Sequence, residues 1–306
     1  MMSMGSKVLR GALLLGAAGL SAAGASLAQT AQIAGELGRV VVPMDHQSGF
    51  LLVEVTIDGK GPFLFQLDTF VSIDACVDQE FALAMGFVKT GTTWNSGGDT
   101  TRPRDLVRID ALGLGAAKFT HVRAMVDQYD WVDPSGRKLH GLLGFQLFRE
   151  LLLTIDYPGS QLVLEHGVLD ADDPQALPMF LTAGSPDVFL ELDGKSLLFG
   201  IDTGMLMPML LRLSDAEGMG LSSELLPAGR ALSVYSSHEL FRAKLKGGFE
   251  LAGHGVQAPL AYFRKGRFKR LLGKGVLQPY VLTFDQKSKR LRVALPASLE
   301  KPPGEH

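Results

Sequence analysis

The chain repeats itself. Ile57-Asp58-Gly59-Lys60 leads through Phe63-Leu64-Phe65-Gln66-Leu67 into Asp68-Thr69, and Leu192-Asp193-Gly194-Lys195 leads through Leu197-Leu198-Phe199-Gly200-Ile201 into Asp202-Thr203. The second copy is one residue shorter over this stretch. Beyond it the copies run in phase: Ala82, Met85, Gly86 and Phe87 stand at 14, 17, 18 and 19 residues from Asp68, and Ala216, Met219, Gly220 and Leu221 at the same offsets from Asp202. Self-similarity over so long a period restricts the chain to folds built from two like halves. Further on, Gly141-Leu142-Leu143 precedes Leu153-Thr154-Ile155-Asp156, and Gly275-Val276-Leu277 precedes Leu282-Thr283-Phe284-Asp285. In this alignment the second version is five residues shorter between its Gly and its Thr. Gln278 then stands where the first copy has Gly144.

Each copy reads as mostly strand. Val53, Val55 and Ile57 alternate with Glu54, Thr56 and Asp58, the period of a half-buried strand, and the Asp-Gly-Lys that follows each time is a hairpin turn. The strands entering Asp68 and Asp202 are apolar on both faces, hence buried. A short helix is predicted over 77–85, with Val77, Phe81, Ala84 and Met85 on one face, Asp78 and Glu80 in its first turn and Gly86 as its stop. Its counterpart near 214–219 is weakened by Gly218. A second short helix fits 144–151, and the apparent deletion removes its equivalent. Gly113 and Gly115 read as a turn between strands. The 36 glycines, about 12% of 306 residues against ~7% in ordinary proteins, agree with many turns and short strands. The boundaries expected are a first lobe over 39–165, an acidic, Pro-containing linker over 166–179 (Asp170, Asp172, Asp173), a second lobe over 180–295 and a solvated tail over 296–306.

Charge and cysteine content narrow the function. Thirty Lys and Arg against 32 Asp and Glu leave a net charge of -2, no field with which to hold nucleic acid. Lys7 and Arg10 precede an uncharged apolar stretch ending in Ser26-Leu27-Ala28, so residues 1–28 read as a cleaved secretory signal, with an uncleaved anchor as the alternative. Cleavage removes two cations and takes the net charge to -4; the location expected is periplasmic or secreted, with no stable membrane span afterwards. The single Cys76 forms no internal disulfide and reads as a small buried residue. The run Arg264, Lys265, Arg267, Lys269, Arg270, Lys274 reads as a solvated loop rather than a lipid-docking patch. The histidines make no HxH or HExxH arrangement, and neither a Gly-x-Ser-x-Gly elbow nor a phosphate-binding Gly-x-x-x-x-Gly-Lys-Ser/Thr loop occurs.

Two related halves that each end a buried strand in aspartate bring two carboxylates together across a pseudo-twofold axis. Such a pair shares one proton, so one member activates water while the other polarises a carbonyl. At this point the residues match a family. Asp202-Thr203-Gly204 after Leu198-Phe199-Gly200-Ile201, and Gly141-Leu142-Leu143-Gly144 before Leu151-Leu152-Leu153-Thr154-Ile155-Asp156-Tyr157-Pro158, resemble the motifs of retropepsin-like and pepsin-like aspartic proteases over roughly 39–295. The resemblance implies an all-β, bilobal acid-protease barrel fold and an aspartic endopeptidase that works without cofactor or metal on a peptide or protein substrate. It implies the dyad Asp68 and Asp202, supported by Thr69, Thr203 and Gly204. It implies a flap over the cleft, for which Trp94, Asn95, Ser96, Gly97 and Gly98 are candidates in the first lobe and Tyr235 in the second. A monomer is expected, since one chain supplies both aspartates; a dimer of like lobes is the alternative. Phe70 in place of the first motif's Gly, with Gln278, motivates a second reading as a noncatalytic, peptide- or partner-binding pseudo-protease. Val71 and Met205 offer the dyad no hydroxyl, which points to a pH optimum from weakly acid to neutral.

Overall fold

A computed structural model describes residues 12–13, 30–97, 100–128, 132–233 and 237–296. Apart from Ala12–Leu13, which pair with Leu232 and Ser233, the expected signal lies outside the described residues, as does the tail beyond 296. No helix among the described residues is long and apolar enough to cross a membrane. The chain is mostly strand, as its alternating apolar pattern and glycine-rich turns predict.

In the first half, six strands close on themselves. The order runs Leu52–Ile57, Lys60–Asp68, Gly141–Gly144, Ala75–Asp78, Ala117–Asp127, Thr100–Leu114 and back to Leu52–Ile57. Closure leaves this barrel without a free edge. The tight turn predicted at Asp58-Gly59 has φ of 49° and 76°, and Asp193-Gly194 repeats it at 50° and 69°. Positive φ at both central residues suits the twist of the flanking strands.

The second half repeats the order with Ser185–Leu192, Lys195–Ile201, Arg270–Leu272, Met209–Arg212, Leu260–Arg264 and Ser237–Lys244. Among the described residues no pairing joins the last of these to the first. A separate hairpin, Phe249–Leu251 with His254–Val256, packs beside Ser185–Leu192 instead.

A third sheet joins the halves. Leu152–Asp156 pairs antiparallel with Val281–Asp285, so that Thr154 faces Thr283 at the same point of each copy. Their hydroxyls lie 2.9 Å apart, which puts the pseudo-twofold axis between them. The segment 166–179 wraps this sheet: Ala176–Pro178 is its edge strand, and Asp173 pairs with Arg292 at 2.9 Å.

The structure corrects several local readings. Arg270-Leu271-Leu272 lies parallel to Phe199-Gly200-Ile201 as Gly141-Leu142-Leu143 lies parallel to Phe65-Gln66-Leu67. The second segment is therefore Arg270-Leu271-Leu272-Gly273, not Gly275 to Gln278, and no deletion separates the copies: Gly144 and Gly273 each precede their threonine by ten residues. Both glycines are obligatory for packing. A Cβ would stand 1.9 Å from Ile73 O at Gly144 and 2.3 Å from Met207 O at Gly273. The supposedly deleted helix is present as Lys274–Leu277, opposite the 3₁₀ turn Phe145–Phe148. The first helix starts later than predicted, at Gln79, because Ala75–Asp78 is drawn into the barrel and Asp78 becomes its N-cap. Its buried face is thereby Phe81 and Ala82, with Ala84 exposed. Gly113 lies inside a strand against Thr56, where a Cβ would meet Oγ1 at 2.4 Å. The basic run is largely structural: Arg264 is buried against Phe268, Arg270 pairs with Asp215 at 2.7 Å, and only Lys265 and Arg267 of the run are exposed.

Candidate active site

Asp68 ends the strand Lys60–Asp68, and Asp202 follows directly on Lys195–Ile201. Both turns are locked to each other by their threonines. Thr69 N donates to Thr203 Oγ1 at 3.0 Å and Thr203 N to Thr69 Oγ1 at 3.1 Å. The same hydroxyls donate onward, Thr69 Oγ1 to Ile201 O at 2.6 Å and Thr203 Oγ1 to Leu67 O at 3.2 Å. Each hydroxyl is thus donor and acceptor across the lobe junction, which leaves no buried polar group of the four unpaired.

The aspartates are held alike. Phe70 N donates to Asp68 Oδ1 at 2.8 Å and Gly204 N to Asp202 Oδ1 at 2.9 Å. The other oxygen of each, Oδ2, is buried and accepts no hydrogen bond from the protein. A Cβ at Gly204 would lie 2.4 Å from Asp68 Oδ2, so this glycine lets the carboxylate of the opposite lobe approach its backbone. Burial pushes both carboxyls above their ordinary range, and the charge of Asp68 pushes Asp202 further in the same direction. The N–H groups of Phe70 and Gly204 pull the other way without overcoming burial.

Phe70 occupies its glycine-like position without left-handed backbone. Its ring crosses into the second lobe, buried among Met205, Met207, Leu210 and Leu271. Gly200 makes the space. An added Cβ there would be 2.8 Å from Phe70 Cε2 and 2.9 Å from Lys269 Cδ. Gly200→Ala is expected to cost about 1–3 kcal/mol by overpacking, read as a lowered midpoint in urea unfolding.

The flap candidates fall on a hairpin between Lys89–Gly97 and Thr100–Leu114. Trp94 is 58% exposed, Asn95 and Ser96 are buried, and Asn95 Nδ2 donates to Asp127 Oδ2 at 2.9 Å. Ser96 and Thr101 hydroxyls meet at 2.8 Å. Gly97 ends its strand; Gly98 and Tyr235 lie outside the described residues. Cys76 is buried in the first lobe's core as predicted. Gly273 is the site-supporting residue that the repeat alignment missed; the signal was Leu271-Leu272-Gly273 matching Leu142-Leu143-Gly144.

Residues 53–147 match the family model of the aspartyl proteases. The chain resembles the crystal structure of the aspartic proteinase from Irpex lacteus, with a TM-score of 0.52 at 13% identity over 85% of this chain and 98% of that one. The fold is that of an aspartic protease. No curated protein matches the sequence. Within the aspartic-protease fold, the matched family segment contains the first aspartate, its barrel and Gly144, while the second aspartate is placed by the internal repeat.

Proposed function

We propose that this chain is an aspartic endopeptidase in which Asp68 and Asp202 act as one acid–base pair. The observation that carries the reading is the reciprocal threonine lock, which ties together the turns that carry two buried aspartates, each with its Oδ2 atom unpartnered. Two buried carboxyls at close range take up one proton between them. The ionised member accepts a proton from an attacking water, and the protonated member donates to the carbonyl oxygen of the scissile amide. Peptide hydrolysis then needs no covalent intermediate. An extended peptide in the cleft between lobes is fixed by main-chain hydrogen bonds, with the strand Lys89–Gly97 that carries Trp94 as its cover. The pseudo-protease reading rested on Gln278 and Phe70. Gln278 does not stand at the segment's glycine, and Phe70 keeps its N–H on Asp68.

The upward direction of both titrations favours work from weakly acid to neutral pH. Cleavage of a mixed peptide library, scanned over pH, is expected to give a bell peaking above ~4, the ordinary carboxylate value. A peak well below that value contradicts the reading. Secretion to the periplasm or beyond, by cleavage after residue 28, is part of the proposal; N-terminal sequencing of the mature protein tests it.

A further inference from the structure

The halves of the repeat diverge at three positions that come together in space. Strand register makes Asp187 the counterpart of Leu52 and Lys269 the counterpart of His140, while Phe70 stands where the other copy has Gly204. In the second lobe the divergent three converge. Lys269 Nζ donates to Asp187 Oδ1 at 2.8 Å and to Thr182 O at 3.2 Å, and lies 5.1 Å from the centroid of the Phe70 ring. The Asp187 side chain is fully buried and that of Lys269 is 20% exposed. Gly200, two residues before Asp202, lies against both the ring and the lysine stem. In the first lobe His140 turns the other way, accepting from Leu64 N and packing on Phe63 and Phe81.

Burying an ammonium and a carboxylate is costly, and the first lobe builds the same two strands with leucine and histidine. The fold therefore does not require the pair. We propose that Lys269, held by Asp187 and by the Phe70 ring, is a positioning residue that sets the pH range over which Asp68 and Asp202 hold one shared proton. The proposal rests on the peptidase reading. Lys269 favours the ionised form of Asp202, against burial and the charge of Asp68. The other titratable groups that face the pair are Tyr157 and Cys76, both fully buried: burial and the charges of Asp202 and Asp68 push Tyr157 up, and burial with the charges of Asp127 and Asp68 pushes Cys76 up. Both are neutral where the pair works, so the adjustable charges are Lys269 and Asp187.

The test is a set of opposite shifts. Lys269→Met removes the cation and is expected to raise the pH–rate bell by roughly one pH unit, whereas Asp187→Asn leaves the ammonium uncompensated and lowers it. Lys269→Arg keeps the wild-type profile. Lys269→Met combined with Asp187→Leu leaves no charge buried alone, protecting the test against misfolding, and moves the bell up by less than Lys269→Met. Carbon-13 titration of the aspartate carboxyls reads the same shifts without turnover. Shifts of one sign in both single variants, or an unshifted profile with lowered stability, overturn the proposal. Opposite carboxyl shifts in a folded protein that cleaves nothing uphold the coupling and sink the peptidase reading instead.

Discussion

Asp68→Asn and Asp202→Asn are each expected to lower peptide cleavage by at least about 10³-fold and, at the same time, to make the protein more stable at neutral pH. The loss follows from the shared proton: with one member amidated, the pair either lacks its base or lacks the acid that polarises the carbonyl. The gain follows from burial. An unfolded aspartate releases its proton near pH ~3.9, whereas both folded carboxyls hold theirs to higher pH. Between those values the folded state binds more protons at these two groups, so the pair's contribution to stability is fully present below the unfolded value and is lost as pH rises through the raised range. Asparagine has no proton to lose and escapes this decline. Calorimetry at pH 4 and pH 7.5 reads the difference. Each variant is expected to melt above the wild type at pH 7.5, with the gap narrowing at pH 4; a gap independent of pH contradicts the buried-carboxyl account.

The second large effect lies in the threonine lock. Thr203→Val keeps shape but leaves Thr69 N–H without an acceptor and Leu67 O without its donor, both buried. Two unpaired buried groups cost about 2–4 kcal/mol. For a chain of this size that lowers the melting temperature by roughly 3–7 °C. Thr203→Ser keeps the hydroxyl and is expected to lose much less. Thr69→Val removes the other two bonds of the lock, Thr203 N to Thr69 Oγ1 and Thr69 Oγ1 to Ile201 O, and the double variant is expected to fall short of the sum because the touching turns, once loosened by one loss, hold the remaining bonds less well. Losses that add in full indicate two independent turns rather than one lock.

Much of this arrangement is legible in the sequence because its causes are local. Alternating Val53, Val55 and Ile57, the Asp-Gly turns and the apolar strands before Asp68 and Asp202 each determine their own conformation. What escaped the sequence depends on long-range partners. Leu271-Leu272-Gly273 hides inside a basic run, and its parallel pairing with Phe199-Gly200-Ile201 comes from folding across 70 residues. Arg270 and Lys269 read as solvated because nothing nearby in the chain announces Asp215 or Asp187 as partners. Phe70 reads as a defect in a motif until Gly200, 130 residues away, is seen to make room for its ring. The Ala75–Asp78 strand displaced the predicted helix start for the same reason: pairing with Gly141–Leu143 outweighs local helix preference.

The central claim is that one chain supplies both halves of a single catalytic pair. The measurement that tests it most directly incubates the wild type, Asp68→Asn and Asp202→Asn with a peptide library from acid to neutral pH and reads new termini by mass spectrometry. The account predicts cleavage by the wild type alone, with all three proteins folded. Retained cleavage in Asp68→Asn, or none by the folded wild type at any pH, contradicts it.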